Sequence, residues 1–338
     1  EHNSASPDEV RGGGEFLLKS YRVIYDGGEV RVGAEPFRAE IRRRVDATTL
    51  VDGWLGQMHD HADGVVVLLD RVVAFALDQV WPALDPALDR ELDPVTRAFA
   101  PSLRAELAAG LSAPELAALR ATAEDRYWMN RAATAIHGRH QCGSAFWVSR
   151  IPWNGLSPRD LATLRQHAET AGDAACPDVT PDEALVFAVR SGRIRQVPGV
   201  REALEHLVGF VANAVVIHEA RHAADDRALA GQPIPCIGCP PETSHRSAFE
   251  GSAYAASFAD PVHGALAMYQ ACALDPAFVP EEAGIVAFLA SGLTPGGCAD
   301  GAPADLAARA RAVEREVFRR DDRIEVVDFP ASLPVGVP

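Results

Sequence analysis

The sequence predicts a mainly α protein with a small sheet, an α+β chain, and three observations carry that prediction. Apolar residues recur at three- and four-residue steps over long stretches, which is the period of a helix. Those stretches are punctuated by proline and glycine at their ends. Strand-like segments are few and short. At 338 residues and 48% hydrophobic, the chain can bury one large core or two moderate ones.

Residues 1–14 are polar and Gly-rich and are expected to be disordered. Phe16 to Val32 alternates around Asp26-Gly27-Gly28, which predicts a short hairpin. From about 36 to 138 the pattern is helical, broken at Pro82, Pro86, Pro94, Pro101 and Pro114. Ala113-Pro114-Glu115-Leu116 opens one of these helices, with proline in its first turn. The apolar run from Gly64 to Leu69 is interrupted by Asp70, Arg71 and Asp78, so no membrane span is expected there. Ala145-Phe146-Trp147-Val148 and the run from Ala184 to Val189 are the remaining strand candidates. A long helix is expected over 200–222, a second over 247–260, and further helices to about Arg320. Ile324 to Val327 closes the ordered part, and 329–338 reads as a tail. The expected division is a helical N-terminal domain with a hairpin over 15–145 and a second domain over 146–328.

Composition narrows the partners. A formal charge of −15 argues against nucleic acid and anionic membrane surfaces. Six cysteines, an even number, in a chain that opens on Glu1 predict an exported protein with disulfides, periplasmic, secreted or lipid-anchored. Sequence does not choose among their pairings. Cys236 and Cys239 form a lone C-x-x-C among prolines, which favours a disulfide-pinned loop over a zinc ribbon or a redox motif.

The chemistry concentrates at His218-Glu219-Ala220-Arg221-His222. Histidines four apart on a helix lie on one face, so both imidazoles can reach one metal ion. Leu204, Leu207, Val208, Val211 and Val215 form an apolar ladder whose continuation lands on His218 and His222, so both point inward. Glu219 adjoins the first of them, placed to reach a metal-bound water rather than the metal. A zinc ion lowers the pKa of such a water to roughly 7. The second helix, rich in small residues, contains Glu250 among Phe249, Ala253 and Ala256. An acid in apolar surroundings needs neutralising, and a dication would do it. Tyr254 and His245 are the candidate donors to an oxyanion, and His245, then His263, stand in reserve as third ligand.

This H-E-x-x-H followed by a glutamate on the next helix resembles the gluzincin group of zinc metallopeptidases, over about residues 218–260. The resemblance implies His218, His222 and Glu250 as zinc ligands, Glu219 as general base and a zincin-like C-terminal part with an active-site helix. Several members carry an aspartate four residues after the third ligand, where this chain has Tyr254. Asp226, one turn beyond His222, and Asp225 are the candidate replacements to orient a ligand imidazole. The metzincin extension fits worse, since Asp225 and Ala228 stand where it requires Gly and His. The expectation is an exported zinc metallopeptidase acting on a peptide or protein substrate. Two alternatives stay open: a helical envelope binding or scaffold protein with a structural metal or none, and a zinc hydrolase of a non-peptide amide such as a cell-wall link.

Overall fold

The computed structural model describes residues 20–45, 55–58, 64–141, 150–153, 162, 183–274, 276 and 279–335. Among these the protein is mainly α with a small sheet, as the periodicity predicts: nine α-helices and one five-stranded mixed sheet. The chain forms two compact units, each discontinuous in sequence. One unit comprises Glu1–Val73, Asp93–Ser102 and Gly209–Ala331, and the other Ala74–Leu92, Leu103–Val208 and Ser332–Pro338.

The sheet belongs to the first unit and runs in the order β3-β4-β2-β1-β5. Strands β1 (Tyr21–Val32) and β2 (Glu35–Arg44) form an antiparallel hairpin. Its turn lies at Gly33, with φ +60°, and not at Asp26-Gly27-Gly28, where β1 continues through register shifts. The helical reading of 36–44 is likewise corrected. Phe37, Ala39 and Ile41 alternate inward, and Glu40 and Arg42 are buried beside them as an ion pair. Mutual neutralisation hides a strand's alternation behind charged residues. Strand β4 (Gly64–Leu68) is buried throughout and parallel to β2, which explains its unbroken apolar run. Strand β3 (Gly56–Met58) pairs with β4 at the sheet's edge, and β5 (Ile324–Asp328) pairs with the last third of β1.

Helices α1 (Leu69–Phe75), α2 (Pro94–Gly110) and α3 (Ala113–Gln141) follow, then α4 (Glu183–Gln196), in place of the strand expected at 184–189. Its buried positions are Ala184, Phe187, Ser191 and Ile194, a helical spacing, while Leu185, Val186 and Val189 are exposed. A six-residue apolar run does not by itself separate the two periods. In the second unit Arg126 is fully buried and paired with Asp78, which Arg150 also reaches at 2.8 Å. Of the expected tail, Leu333 and Val335 are buried there, and the Leu333 N–H donates to Glu205 O. The strand candidate at 145–148 and Cys142 and Cys176 lie outside the described residues.

Helix α5 (Val200–Leu229) is the long helix of the apolar ladder. Its C-terminal two-thirds, α6 (His245–Phe258), α7 (Gly264–Cys272), α8 (Pro280–Leu293) and α9 (Leu306–Val313) lie in the first unit with the sheet. Ser244 caps α6, its hydroxyl accepting from the Ser247 N–H at 3.1 Å. Gly251 lets α8 close on α6, since a Cβ there would meet Ile285 Cγ1 at 2.6 Å. Cys236 and Cys239 are bonded in the loop between α5 and α6, and a second disulfide, Cys272–Cys298, ties the end of α7 to the turn after α8. No helix among the described residues is long and apolar enough to cross a membrane.

Candidate metal centre

The apolar ladder of α5 buries Leu204, Leu207 and Val208 in the second unit and Val211 and Val215 in the first, where it turns His218, Glu219 and His222 inward. Helix α6 brings Glu250 to them. His218 Nε2 and His222 Nε2 are 3.1 Å apart, and Glu250 Oε2 lies 3.2 Å from His222 Nε2 and 3.4 Å from His218 Nε2. These are the edges of a nearly equilateral triangle of donor atoms. Zinc bonds of about 2.0–2.1 Å in a tetrahedron give ligand–ligand edges of roughly 3.3 Å. The donor set therefore fits a small dication, and two imidazoles and a carboxylate are an ordinary set for a zinc site with one further position. His218, His222 and Glu250 form a group able to hold a metal ion.

Aromatic rings hold the imidazoles in place. Phe249 stacks on His222 at 4.4 Å between centroids, and Tyr254 lies against His218 at 4.6 Å. His222 Nδ1 is buried without a hydrogen-bond partner among the described residues. Neither Asp225 nor Asp226 fills the role expected of it there. Asp225, 1% exposed, points the other way and accepts from Ser252 Oγ at 2.6 Å and Arg320 Nε at 2.7 Å. No hydrogen bond or ion pair joins Asp226 to His222, whose Nδ1 has no partner among the described residues. The physical reason is helical phase: three residues past His222 turns a side chain some 60° off the ligand face, and four residues past, at Asp226, overshoots the end of the ligand pair. Asp225 instead ties α5 to α6 two residues from Glu250.

Charge is distributed unevenly over this centre. Burial pushes the Glu219 carboxyl up to about 7; His218 opposes the shift and Glu250 adds to it. Burial also acts upward on Glu250, but His222 and His218 outweigh it and hold that carboxyl well below the usual range. Tyr254 is pushed up by burial and by Glu250, Glu282 and Glu219, so its hydroxyl keeps its proton. His245 is exposed at the start of α6, 6.4 Å from the Phe249 ring and outside the ligand triangle. His263 is bonded to Asp260 and lies tilted against the Phe210 ring, also outside it.

Two residues of the centre carry no sequence signal. Gly56 of the edge strand β3 lies against Glu219, where a Cβ would stand 2.6 Å from Val215 Cγ1, 2.8 Å from Glu219 Cγ and 2.9 Å from Glu219 Oε1. A glycine some 160 positions from the motif reads as a turn or nothing. Glu282, in the first turn of α8, is 4% exposed and carries a carboxyl pushed up to about 7 by burial and by Glu250. An acid at a helix start reads as a partner of the helix dipole. No family model, curated protein or solved structure matches this chain.

Proposed function

We propose that the protein is a zinc-dependent hydrolase that cleaves peptide bonds in peptide or protein substrates. The observation that carries this reading is the convergence of His218 Nε2, His222 Nε2 and Glu250 Oε2 beside a buried carboxyl, Glu219, that is not one of them. Zinc, when bound, supplies Lewis acidity toward the scissile carbonyl and a water of lowered pKa. The chain's own residues do the rest. Glu219, with its carboxyl near 7, takes a proton from the attacking water and gives it to the departing amine nitrogen at neutral pH. Tyr254, held protonated beside His218, is the candidate donor to the oxyanion. Among the described residues strand β3 ends the sheet beside Glu219, and an extended peptide would pair along its outer edge. The two disulfides fit an oxidising compartment and hence an exported enzyme.

The test is metal content and peptidase activity measured on the same samples of wild type, Glu219→Gln and Glu250→Gln. One zinc per chain in wild type and Glu219→Gln, loss of zinc in Glu250→Gln, and cleavage of a peptide library by wild type alone are expected. Wild type free of metal after chelator-free purification, or zinc-loaded and inert toward the whole library, would overturn the reading.

A further inference from the structure

Helix α8 begins with two acids, Glu281 and Glu282, and they have different partners. Glu281 Oε2 accepts from the hydroxyl of Ser244, the cap of α6, at 2.9 Å. That bond pins the two helix starts together and turns Glu282 inward, to 4% exposure. Glu282 faces the row Arg246, Glu250 and Tyr254, which lie four residues apart on one face of α6. Arg246 Nη2 stands 3.7 Å from Glu282 Oε1, on a side chain that is itself 64% exposed. The other oxygen, Oε2, is buried and has no hydrogen-bond partner. A glutamate at this position of a helix can reach back to cap the N-terminal N–H groups; this one does not.

The centre thus holds three buried or half-buried carboxyls, Glu219, Glu250 and Glu282, all acting on Tyr254. Glu282 meets only the largely exposed Arg246, through Oε1, and its buried Oε2 is left open; a second metal ion is a poor match for it, because the described residues contain no other group of ligands able to hold one. A single carboxylate with a free oxygen suits a monovalent nitrogen cation.

We propose that Glu282 is an anionic subsite of the metal centre that takes an ammonium group of the substrate, either the free α-amine of a peptide or a lysine side chain beside the scissile bond. The inference rests on the hydrolase reading and names its substrate class. Substrate ammonium meets Glu282 Oε2 while the neighbouring carbonyl lies over the ligand triangle. Glu282 would in this way select which bond is presented, without itself moving a proton.

Binding to the zinc-loaded Glu219→Gln protein, followed by calorimetry, tests this without turnover. The probes are a short peptide with a free α-amine, its N-acetylated twin, and a second blocked pair carrying lysine or norleucine beside the bond. Loss of a charge-paired contact at a buried site predicts about a 30-fold difference within one of the pairs. A difference in the first pair assigns the α-amine, and one in the second assigns the side chain. Adding Glu282→Gln should abolish that difference while zinc per chain stays the same. Equal affinities within both pairs would overturn the inference even if the second variant failed to fold. Peptide cleavage by wild type with no ammonium preference would leave the hydrolase reading standing and sink this one. Failure of the zinc form to bind any peptide would remove both.

Discussion

Helix α5 has two buried charged faces in the same stretch, and they are solved in opposite ways. On the face away from the ligands, Arg221 and Asp225 are each 1% exposed. Arg221 lies 3.6 Å from Glu314 and from Asp322 and donates to Asp322 O at 3.0 Å, while Arg320 closes on Asp225. Acids there meet cations that the chain itself supplies. On the other face His218, His222, Glu219 and Glu250 offer acceptors, and among the described residues no arginine is bonded to any of them. Guanidiniums cannot be removed or exchanged, so a face neutralised by arginine is fixed. A face of converging lone pairs is finished only by a cation from solution. The difference marks the first face as scaffold and the second as the place where chemistry is expected.

The sharpest way to break this contrast is to remove the proposed general base and leave the candidate ligands in place. Glu219→Gln should lower turnover by about 10²–10⁴-fold, the range for a positioned acid–base group, with one zinc per chain retained. Zinc analysis beside steady-state kinetics checks it. Equal loss of zinc and activity would make Glu219 a ligand rather than a base.

The scaffold face should respond in stability instead. Asp225→Ala strands Arg320, takes one of three carboxylates from Arg221 and leaves Ser252 Oγ without its acceptor. Breaking a buried pair by deleting one partner costs about 3–5 kcal/mol, readable from urea unfolding of the metal-free protein. A cost under ~1 kcal/mol would mean that water or a neighbouring acid replaces Asp225, and the comparison would lose its scaffold half. Between these extremes lies Gly56→Ala. Its new methyl must displace Glu219 or Val215, and a misplaced catalytic group costs about 10²-fold in rate. Zinc should stay, because no ligand touches that carbon; zinc lost together with activity would argue for general disruption.

What was legible beforehand divides along similar lines. The candidate metal ligands lie within 33 residues on two helices, and a helical ladder projects its phase forward, so His218, His222 and Glu250 fall out of spacing and burial cost. Contacts between distant segments have no such projection. Gly56 and Glu282 reach the centre only through the pairing of β3 with β4 and the packing of α8 on α6. Charged strands were hidden for an electrostatic reason: Glu40 and Arg42 neutralise each other inside the sheet, and the pattern then reads as helix. Asp225 was visible as an acid near His222, but the choice between imidazole and Ser252 depends on helix phase and on Arg320, 95 residues away.

Glu314 offers the mildest and most quantitative probe of the scaffold face. Although Arg221 and Arg311 favour its charged form, burial dominates and pushes its carboxyl up to about 7 from an ordinary 4.5. Arg221 is shared with Asp225 and Asp322, so it does not fully compensate any one of them. The folded state therefore holds a proton that the unfolded chain has already released between these values. Stability falls as pH rises from about 4.5 and has lost its full share above 7, a decrement on the order of 1–3 kcal/mol. Glu219 and Glu282 contribute slopes of the same sign, so the wild-type curve alone does not isolate Glu314. Glu314→Gln does. The amide keeps the volume and cannot ionise, and the stability lost between pH 5 and pH 8 should shrink by about 1–2 kcal/mol against wild type in urea unfolding of the metal-free protein. An unchanged difference would show that Arg221 holds Glu314 ionised at both pH values, making that face as fully paired as its arginines suggest.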